Sequence, residues 1–284
     1  MQARSEYPAG VPCWVDLSPP DPEAAVAFYA GLFGWEYEDR MPADAPGSYF
    51  VAHLRGRAVG AIGSPPPDAS GPPAWSTYVA VDDADVSAAR VAGAGGGTIA
   101  EPFDVGSAGR MGVFADPSGA VFSTWQAGET VGAEAVNEHG AWNFSDLHTP
   151  DPEAAERFYG EVFGWERSPF DPGDPAGPGY WRRPGYGDFL EETNPGTRAR
   201  NAEMGAPDRF EDAVATLAPL TDAGTTPHWG VTFATEDADA TAAKAAELDG
   251  TIVVPPTDAP WVRFAVVSDP QGAMFVASQF VPPT

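Results

Sequence analysis

The chain contains an internal repeat that sets its domain organisation. The segment DPEAAVAFYAGLFGW at residues 21–35 returns as DPEAAERFYGEVFGW at residues 151–165, with 10 of 15 positions identical after a shift of 130 residues. The spacing of 130 residues between the two copies is the size of a compact domain, so the 284 residues are expected to form two similar units. We predict a first domain over residues 1–127, a linker over 128–140 and a second domain over 141–284.

Each repeated segment has the pattern of an amphipathic helix that follows a short strand. Asp21 and Asp151 are suited to cap the helix N terminus, and a proline follows each at the first helical position. Gly34 and Gly164 stand where a left-handed residue ends a helix. Each domain contains a second, weaker unit of the same kind, which predicts modules near residues 12–66, 74–127, 141–200 and 227–284.

The two halves differ in length at one place. An insertion of 24 residues lies within residues 185–226, and it is either a surface excursion or a lid over the second domain. The strand comparable to Ala58–Gly63 is expected to carry Asp188, Glu191 and Glu192, and a helix is expected near Phe210–Leu217.

The charge balance limits the partners. There are 41 acidic and 15 basic residues, for a net charge of −26, so nucleic acid and anionic membranes are expected to repel the protein. Cys13 is the single cysteine, which excludes an intrachain disulfide and a cysteine-rich zinc site. Without a signal-peptide pattern or a run of 18 apolar residues, we predict a cytoplasmic monomer or homodimer whose partner is a small molecule.

The helix pattern D-P-x-A-A-x-x-F-Y-x-x-x-F-G-W, together with D-P-x-G-A turns at residues 116–120 and 269–273, resembles the vicinal oxygen chelate superfamily of glyoxalases, bleomycin-resistance proteins and dioxygenases. Within this superfamily, the chain resembles the two-domain actinobacterial members often described as glyoxalase-like or as hydroxylases. The resemblance implies an α+β fold of two tandem domains, each with two βαβββ modules that form a curved, partly open mixed β-barrel around a ligand. Metal enzymes and metal-free drug binders share this fold, so it leaves the chemistry open.

The resemblance also indicates where metal ligands would stand. Metal-dependent members usually carry histidine or glutamine seven residues before the capping aspartate and glutamate seven residues after the aspartate of the D-P-x-G turn. Here those positions hold Trp14, Ser76, Phe144, Gly230, Ser123 and Val276. A divalent ion needs about three or four nitrogen or oxygen donors, so no cofactor and no metal site are expected.

Two histidines leave an alternative open. By strand alternation, His148 shares a face with Phe144 and His228 with Gly230, so both can point into the second cavity. Their offsets along the strands predict that their tips miss each other. The alternatives are a hydrogen-bonded or ligand-facing histidine at each position, or a zinc, nickel, manganese or iron ion held by His148, His228 and Glu191.

Strand alternation also predicts the lining of both clefts. The first should present Trp14, Asp16, Ser76, Tyr78, Ser123 and Trp125. The second should present Phe144, Asp146, His148, His228, Gly230, Thr232, Val276 and Ser278. Aromatic walls with few polar groups are typical of small-molecule sites, and Glu191 is a further candidate ligand contact.

The equivalent residues Asp16 and Asp146 have two interpretations. Each is either a polar contact for the ligand or a strand-end carboxylate bonded to backbone, and an apolar cleft would disfavour its ionised form. The favoured function is binding of an apolar or aromatic small molecule without metal. The alternatives are a glyoxalase- or lyase-like enzyme with an atypical metal site, and a cofactor-free isomerase or cyclase that uses Asp146 and His228 as catalytic groups.

Overall fold

The computed structural model describes residues 4–42, 44–67, 71–174, 176–222 and 224–282. Residues 1–3 and 283–284, which belong to the predicted domains, lie outside the described residues. Two long β-sheets contain most of the chain, one built from residues 12–127 and the other from residues 142–280. The exact domain boundaries stay a prediction.

The first half contains eight strands and two helices among its described residues. The strands are β1 (Pro12–Leu17), β2 (Glu36–Asp39), β3 (Tyr49–Leu54), β4 (Arg57–Gly63), β5 (Trp75–Ala80), β6 (Gly97–Val105), β7 (Gly109–Ala115) and β8 (Val121–Ala127). The helices are α1 (Pro22–Phe33) and α2 (Ala84–Gly93).

The second half repeats this plan and adds two helices. Its strands are β9 (Trp142–Thr149), β10 (Glu166–Pro169), β11 (Gly179–Arg182), β12 (Ala213–Pro219), β13 (His228–Thr235), β14 (Thr251–Ala259), β15 (Val262–Ser268) and β16 (Met274–Phe280). Its helices are α3 (Pro152–Phe163), α4 (Tyr186–Thr193), α5 (Thr197–Glu203) and α6 (Ala238–Glu247).

The two sheets have the same strand order. It is β2-β3-β4-β1-β5-β8-β7-β6 in the first half and β10-β11-β12-β9-β13-β16-β15-β14 in the second. The two central strands of each sheet are antiparallel, and each pairs in parallel with the last strand of its own module. The sheets are open at both edges, and the predicted α+β fold of tandem βαβββ modules is confirmed.

The helix signals in the repeat are also confirmed. The Asp21 carboxylate accepts a hydrogen bond from the Ala24 amide at 3.0 Å, and the Asp151 carboxylate accepts one from the Ala154 amide at 2.9 Å. Gly34 and Gly164 end their helices with a φ of 71°, a left-handed conformation that suits glycine.

The secondary structure expected within the insertion is wrong in two places. Asp188, Glu191 and Glu192, expected on a strand, lie on helix α4, whose Tyr186, Phe189 and Leu190 recur at helical spacing and pack on the core. The helix expected near Phe210–Leu217 is a short 3₁₀ turn, Phe210–Asp212, followed by strand β12. The alternating segment AVATLAP makes this strand, because it pairs in parallel with β9.

The two halves interlock through the long helices of the repeat. The Tyr29 hydroxyl on α1 accepts a hydrogen bond from Trp75 Nε1 at 3.0 Å and donates one to Asp269 of the second half at 3.3 Å. On α3, the Tyr159 hydroxyl accepts a hydrogen bond from Trp229 Nε1 at 2.9 Å and donates one to Asp116 of the first half at 3.1 Å. Each hydrophobic core therefore contains residues from both halves.

Candidate functional site

The first cleft is built around the carboxylate of Asp16. Strand register places Trp14 opposite Tyr78 and Asp16 opposite Ser76 on the two central strands. The Tyr78 hydroxyl donates a hydrogen bond to Asp16 Oδ2 at 2.7 Å, and the Tyr49 hydroxyl donates to the same oxygen at 3.2 Å. Trp14 Nε1 donates to the Tyr49 hydroxyl at 3.0 Å, so these side chains form one hydrogen-bonded cluster.

This first cleft is filled by its own side chains. Trp14 and Tyr78 are each 7% exposed and Trp125 is 9% exposed. Trp125 Nε1 donates to the carbonyl of Thr130 in the linker, and Ser123 bonds to Tyr78. The face predicted to hold a ligand is therefore occupied by aromatic rings of the protein itself.

The Asp16 carboxylate is bound by side chains rather than by backbone. Burial raises its pKa to about 6, although hydrogen bonds from Tyr78, Tyr49 and Ser76 act in the opposite direction. The interpretation of Asp16 as a backbone-bonded carboxylate is therefore wrong, and its role as a ligand contact stays a prediction. Tyr49 was missed because it reaches Asp16 from β3, and this contact depends on the register of β3 against β4.

The second cleft has the same carboxylate without the aromatic filling. Asp146 accepts hydrogen bonds from the hydroxyl of Thr216 and from the hydroxyl of Thr232, the latter at 2.7 Å. Phe144, Asp146 and Val276 are partly exposed. These three positions are therefore more accessible than Trp14, Asp16 and Ser123 of the first domain, whereas Thr232 and Ser278 are as buried as Tyr78 and Trp125.

The register of the strands identifies equivalent positions in the two clefts. Tyr78 pairs with Trp14 and Ser123 in the first sheet, and Thr232 pairs with Phe144 and Val276 in the second. One step along, Ala80 pairs with Trp125 and Ala234 pairs with Ser278. Smaller side chains therefore replace Trp14, Tyr78 and Trp125 in the second half.

His148 and His228 meet at one end of this second cleft. Their rings stack with centroids 4.5 Å apart and planes 8° from parallel, so the expectation that their tips miss each other is wrong. The cause is the antiparallel register, which pairs the two residues directly. Desolvation and the neighbouring His228 lower the pKa of His148, while the negative charge of Asp146 acts to raise it.

The residues present do not fit the metal site known from other members of the fold. The six expected ligand positions hold no imidazole and no carboxylate, and the Ser76 hydroxyl bonds to Asp16. The Glu191 carboxylate accepts hydrogen bonds from the amides of Gly196 and Arg198 at the start of α5. Within the described ranges no group of three His, Cys, Asp or Glu residues is placed to hold an ion, so the set His148, His228 and Glu191 is not brought together.

A groove of about 780 Å³ opens beside the second cleft. It lies between the N-terminal segment around Arg4, the linker around Glu134 and the α4–α5 insertion. Phe144 lines this groove, and the other predicted site residues do not. The sequence signal that could have indicated it is the helical spacing of Tyr186, Phe189 and Leu190 in the insertion.

Comparison with known proteins supports the same fold throughout the chain. The profile of the Glyoxalase/Bleomycin resistance protein/Dioxygenase superfamily matches residues 13–124 and 143–276. A Mycobacterium tuberculosis protein named "Putative glyoxylase CFP32" is 42% identical over 97% of both chains. The "Anthracycline biosynthesis protein DauV" of Streptomyces sp. is 35% identical and covers 95% of this chain and 94% of its own.

Solved structures agree with this fold at lower identity. The Mn(II)-bound glyoxalase from Novosphingobium aromaticivorans aligns with a TM-score of 0.62 at 16% identity, over 98% of this chain and 83% of its own. The 2,3-dioxygenase LapB from Pseudomonas sp. KL28 aligns with a TM-score of 0.60 at 14% identity, over 97% and 95%. In the described part of the chain, no helix has the length and apolar character needed to cross a membrane. The cytoplasmic location and the oligomeric state stay predictions.

Proposed function

The chain belongs to the glyoxalase, bleomycin resistance protein and dioxygenase superfamily, and on that basis we propose that its second domain binds an apolar or aromatic small molecule without a metal ion. The observation that carries this proposal is the contrast between two sheets of identical strand order. Trp14, Asp16 and Ser123 are buried in the first cleft, while Phe144, Asp146 and Val276 are partly exposed at the equivalent positions of the second; Thr232 and Ser278 are smaller than Tyr78 and Trp125 but equally buried.

The chemistry of the second cleft indicates the kind of ligand. Phe144 and Val276 offer apolar contact area, and a planar ring can stack on Phe144. Asp146 already accepts two hydroxyl hydrogen bonds, so its remaining lone pairs can accept one more from a ligand hydroxyl or amine. The name of the relative DauV concerns anthracyclines, which are planar polycyclic aromatics with hydroxyl groups, and it supports a ligand of this class.

Exchanging side chains between the two halves tests the proposal. Thr232→Tyr introduces the residue that fills the first cleft, and a tyrosine hydroxyl can still donate to the carboxylate, as Tyr78 does. We expect Thr232→Tyr to weaken binding of a fluorescent anthracycline at least about tenfold, because the ring occupies the ligand volume. The matched control is Tyr78→Phe, which alters the corresponding position of the filled cleft and should leave the affinity unchanged.

The measurement is fluorescence titration of each variant, with circular dichroism to check the fold. Ser278→Trp provides a second filling variant at the position equivalent to Trp125, in case Thr232→Tyr does not fold. Wild-type affinity in a folded filling variant would contradict the proposal, as would failure of wild type to bind any planar aromatic probe.

A second candidate function is cofactor-free acid–base catalysis in the same cleft. The observation that favours it is the position of Asp146 on the same strand face as the stacked His148 and His228. His228 Nδ1 lies 2.9 Å from the Thr226 carbonyl, so this ring is held in place with Nε2 left for proton transfer. Turnover that resists chelator and is lost in Asp146→Asn, with binding retained, would favour this function; binding without turnover would favour the first.

A further inference from the structure

The groove beside the second cleft has the size and lining of a small-molecule site. Its volume of about 780 Å³ lies within the range of about 300–1,000 Å³ that drug-sized ligands occupy. One wall is apolar and comes from the second sheet and the insertion. It consists of Phe144, Val214, Phe189, Leu190, Met204 and Phe210.

Arg4 also lines the groove, where it contacts Tyr186 of α4 and has no carboxylate partner among the described residues. Its guanidinium carbon lies 5.1 Å from the centre of the Tyr7 ring and 5.8 Å from that of Tyr186, and Nη1 donates to the Tyr186 hydroxyl at 2.6 Å. Among the described residues, no acidic side chain pairs with Arg4, in a protein of net charge −26. A guanidinium carries five N–H donors, so the aromatic rings hold this cation in place and leave donors for another acceptor.

A second cation of the groove is also bonded to neutral groups. Arg200 on α5 donates to the carbonyls of Pro195 and Asn194 and to the Thr197 hydroxyl, and the charge of Glu191 lies close enough to interact with it.

Four glutamates also line the groove. The Glu211 carboxylate is paired with Arg198, and that of Glu134 accepts from the Ala58 amide. Glu6 and Glu192 are exposed to water, where their charges are screened. Arg57, which also lines the groove, is paired with Glu138. Arg4 is therefore a half-buried cation of the groove that has donors available and no ion pair with a carboxylate among the described residues.

We propose that the groove binds an aromatic carboxylate, whose anionic group lies on Arg4 and whose ring lies against Phe144 and Phe210. A carboxylate can accept two parallel N–H bonds from one guanidinium, a geometry that a neutral amide of the same shape does not reproduce. The groove shares Phe144 with the Asp146 cleft, but the inference rests on the charge of Arg4 and not on the proposed function of that cleft.

The test compares two probes with one aromatic body. Anthracene-9-carboxylate and anthracene-9-carboxamide have nearly the same shape and differ in charge. We expect the full-length protein to bind the carboxylate about tenfold more tightly than the amide, and Arg4→Met to abolish that preference. The matched control is Arg40→Met, which removes the same charge at an exposed ion pair with Glu38 and should leave the ratio unchanged.

The affinity ratio separates recognition from mere loosening of the N-terminal segment. Loss of packing around Arg4 would weaken both probes equally and leave the ratio unchanged, whereas loss of the anion contact lowers the carboxylate affinity alone. Tyr186→Phe keeps the cation and removes its hydroxyl partner, so the preference should persist. Equal affinities in wild type, or an unchanged preference in folded Arg4→Met, would overturn the proposal. Thr232→Tyr should not change the ratio, which separates this outcome from failure of the cleft proposal.

Discussion

Replacing the buried Asp16 by asparagine should stabilise the protein at neutral and alkaline pH. The carboxylate lies in a cluster of aromatic rings and has a pKa of about 6, against about 3.8 for an unperturbed aspartate. The folded state therefore prefers the protonated carboxyl, and ionisation at higher pH weakens the fold. Asparagine carries no charge and is nearly isosteric. Its oxygen can accept both tyrosine hydrogen bonds, while its amide can donate to Ser76.

The magnitude follows from the difference between the two pKa values. About two pKa units, at about 1.4 kcal/mol each, correspond to about 3 kcal/mol. The destabilisation develops as the pH rises from about 3.8 through about 6 and is then constant. Asp16→Asn should therefore raise the free energy of unfolding by about 3 kcal/mol at pH 8 and by about half as much at pH 5.

Urea denaturation of both proteins at pH 5 and pH 8 measures this difference. The comparison isolates Asp16, because the other carboxylates are common to both proteins and contribute equally. The reasoning is refuted by an Asp16→Asn variant that is less stable than wild type at pH 8, or by a difference that does not change with pH. Ligand binding in the second domain should be the same in both proteins.

Two further results are expected from groups that link the halves or line the open cleft. Tyr159→Phe should lower the free energy of unfolding by about 1–3 kcal/mol, because the Trp229 N–H and the Asp116 carboxylate lose a buried hydrogen-bond partner. An unchanged urea concentration at half unfolding would contradict this. His148 should titrate below 6.5 by NMR, because burial and His228 lower its pKa, and Asp146→Asn should lower it further. Because the folded state disfavours protonated His148, the free energy of unfolding should fall as the pH drops below about 6.5. An NMR titration midpoint of His148 above 6.5 would show that this account is wrong.

The fold was predictable because the sequence repeats its local signals. The capping aspartates, the terminating glycines and the D-P-x-G turns each specify a short stretch of backbone, and their order specifies the module. Strand alternation also placed Trp14, Asp16 and Tyr78 on one face, because side chains on a strand alternate whatever surrounds them.

The side-chain contacts within each cleft could not be predicted in the same way. The closing residue Tyr49 reaches Asp16 from β3, and the contact depends on the register of β3 against β4. The stacking of His148 on His228 depends likewise on the pairing of β9 with β13. In the insertion, an apolar stripe at helical spacing was overlooked in favour of correspondence with the first half.

The difference between the halves is physically consistent with their interlocked cores. An open cleft leaves apolar side chains such as Phe144 partly in water and contributes less burial than the filled cleft around Trp14 and Tyr78. Because Tyr29 bonds to Asp269 and Tyr159 to Asp116, the cores of both halves share residues and the stability of the filled half supports the open one. The duplication thus separates two requirements that conflict within one barrel, a well-packed core and an accessible concave face.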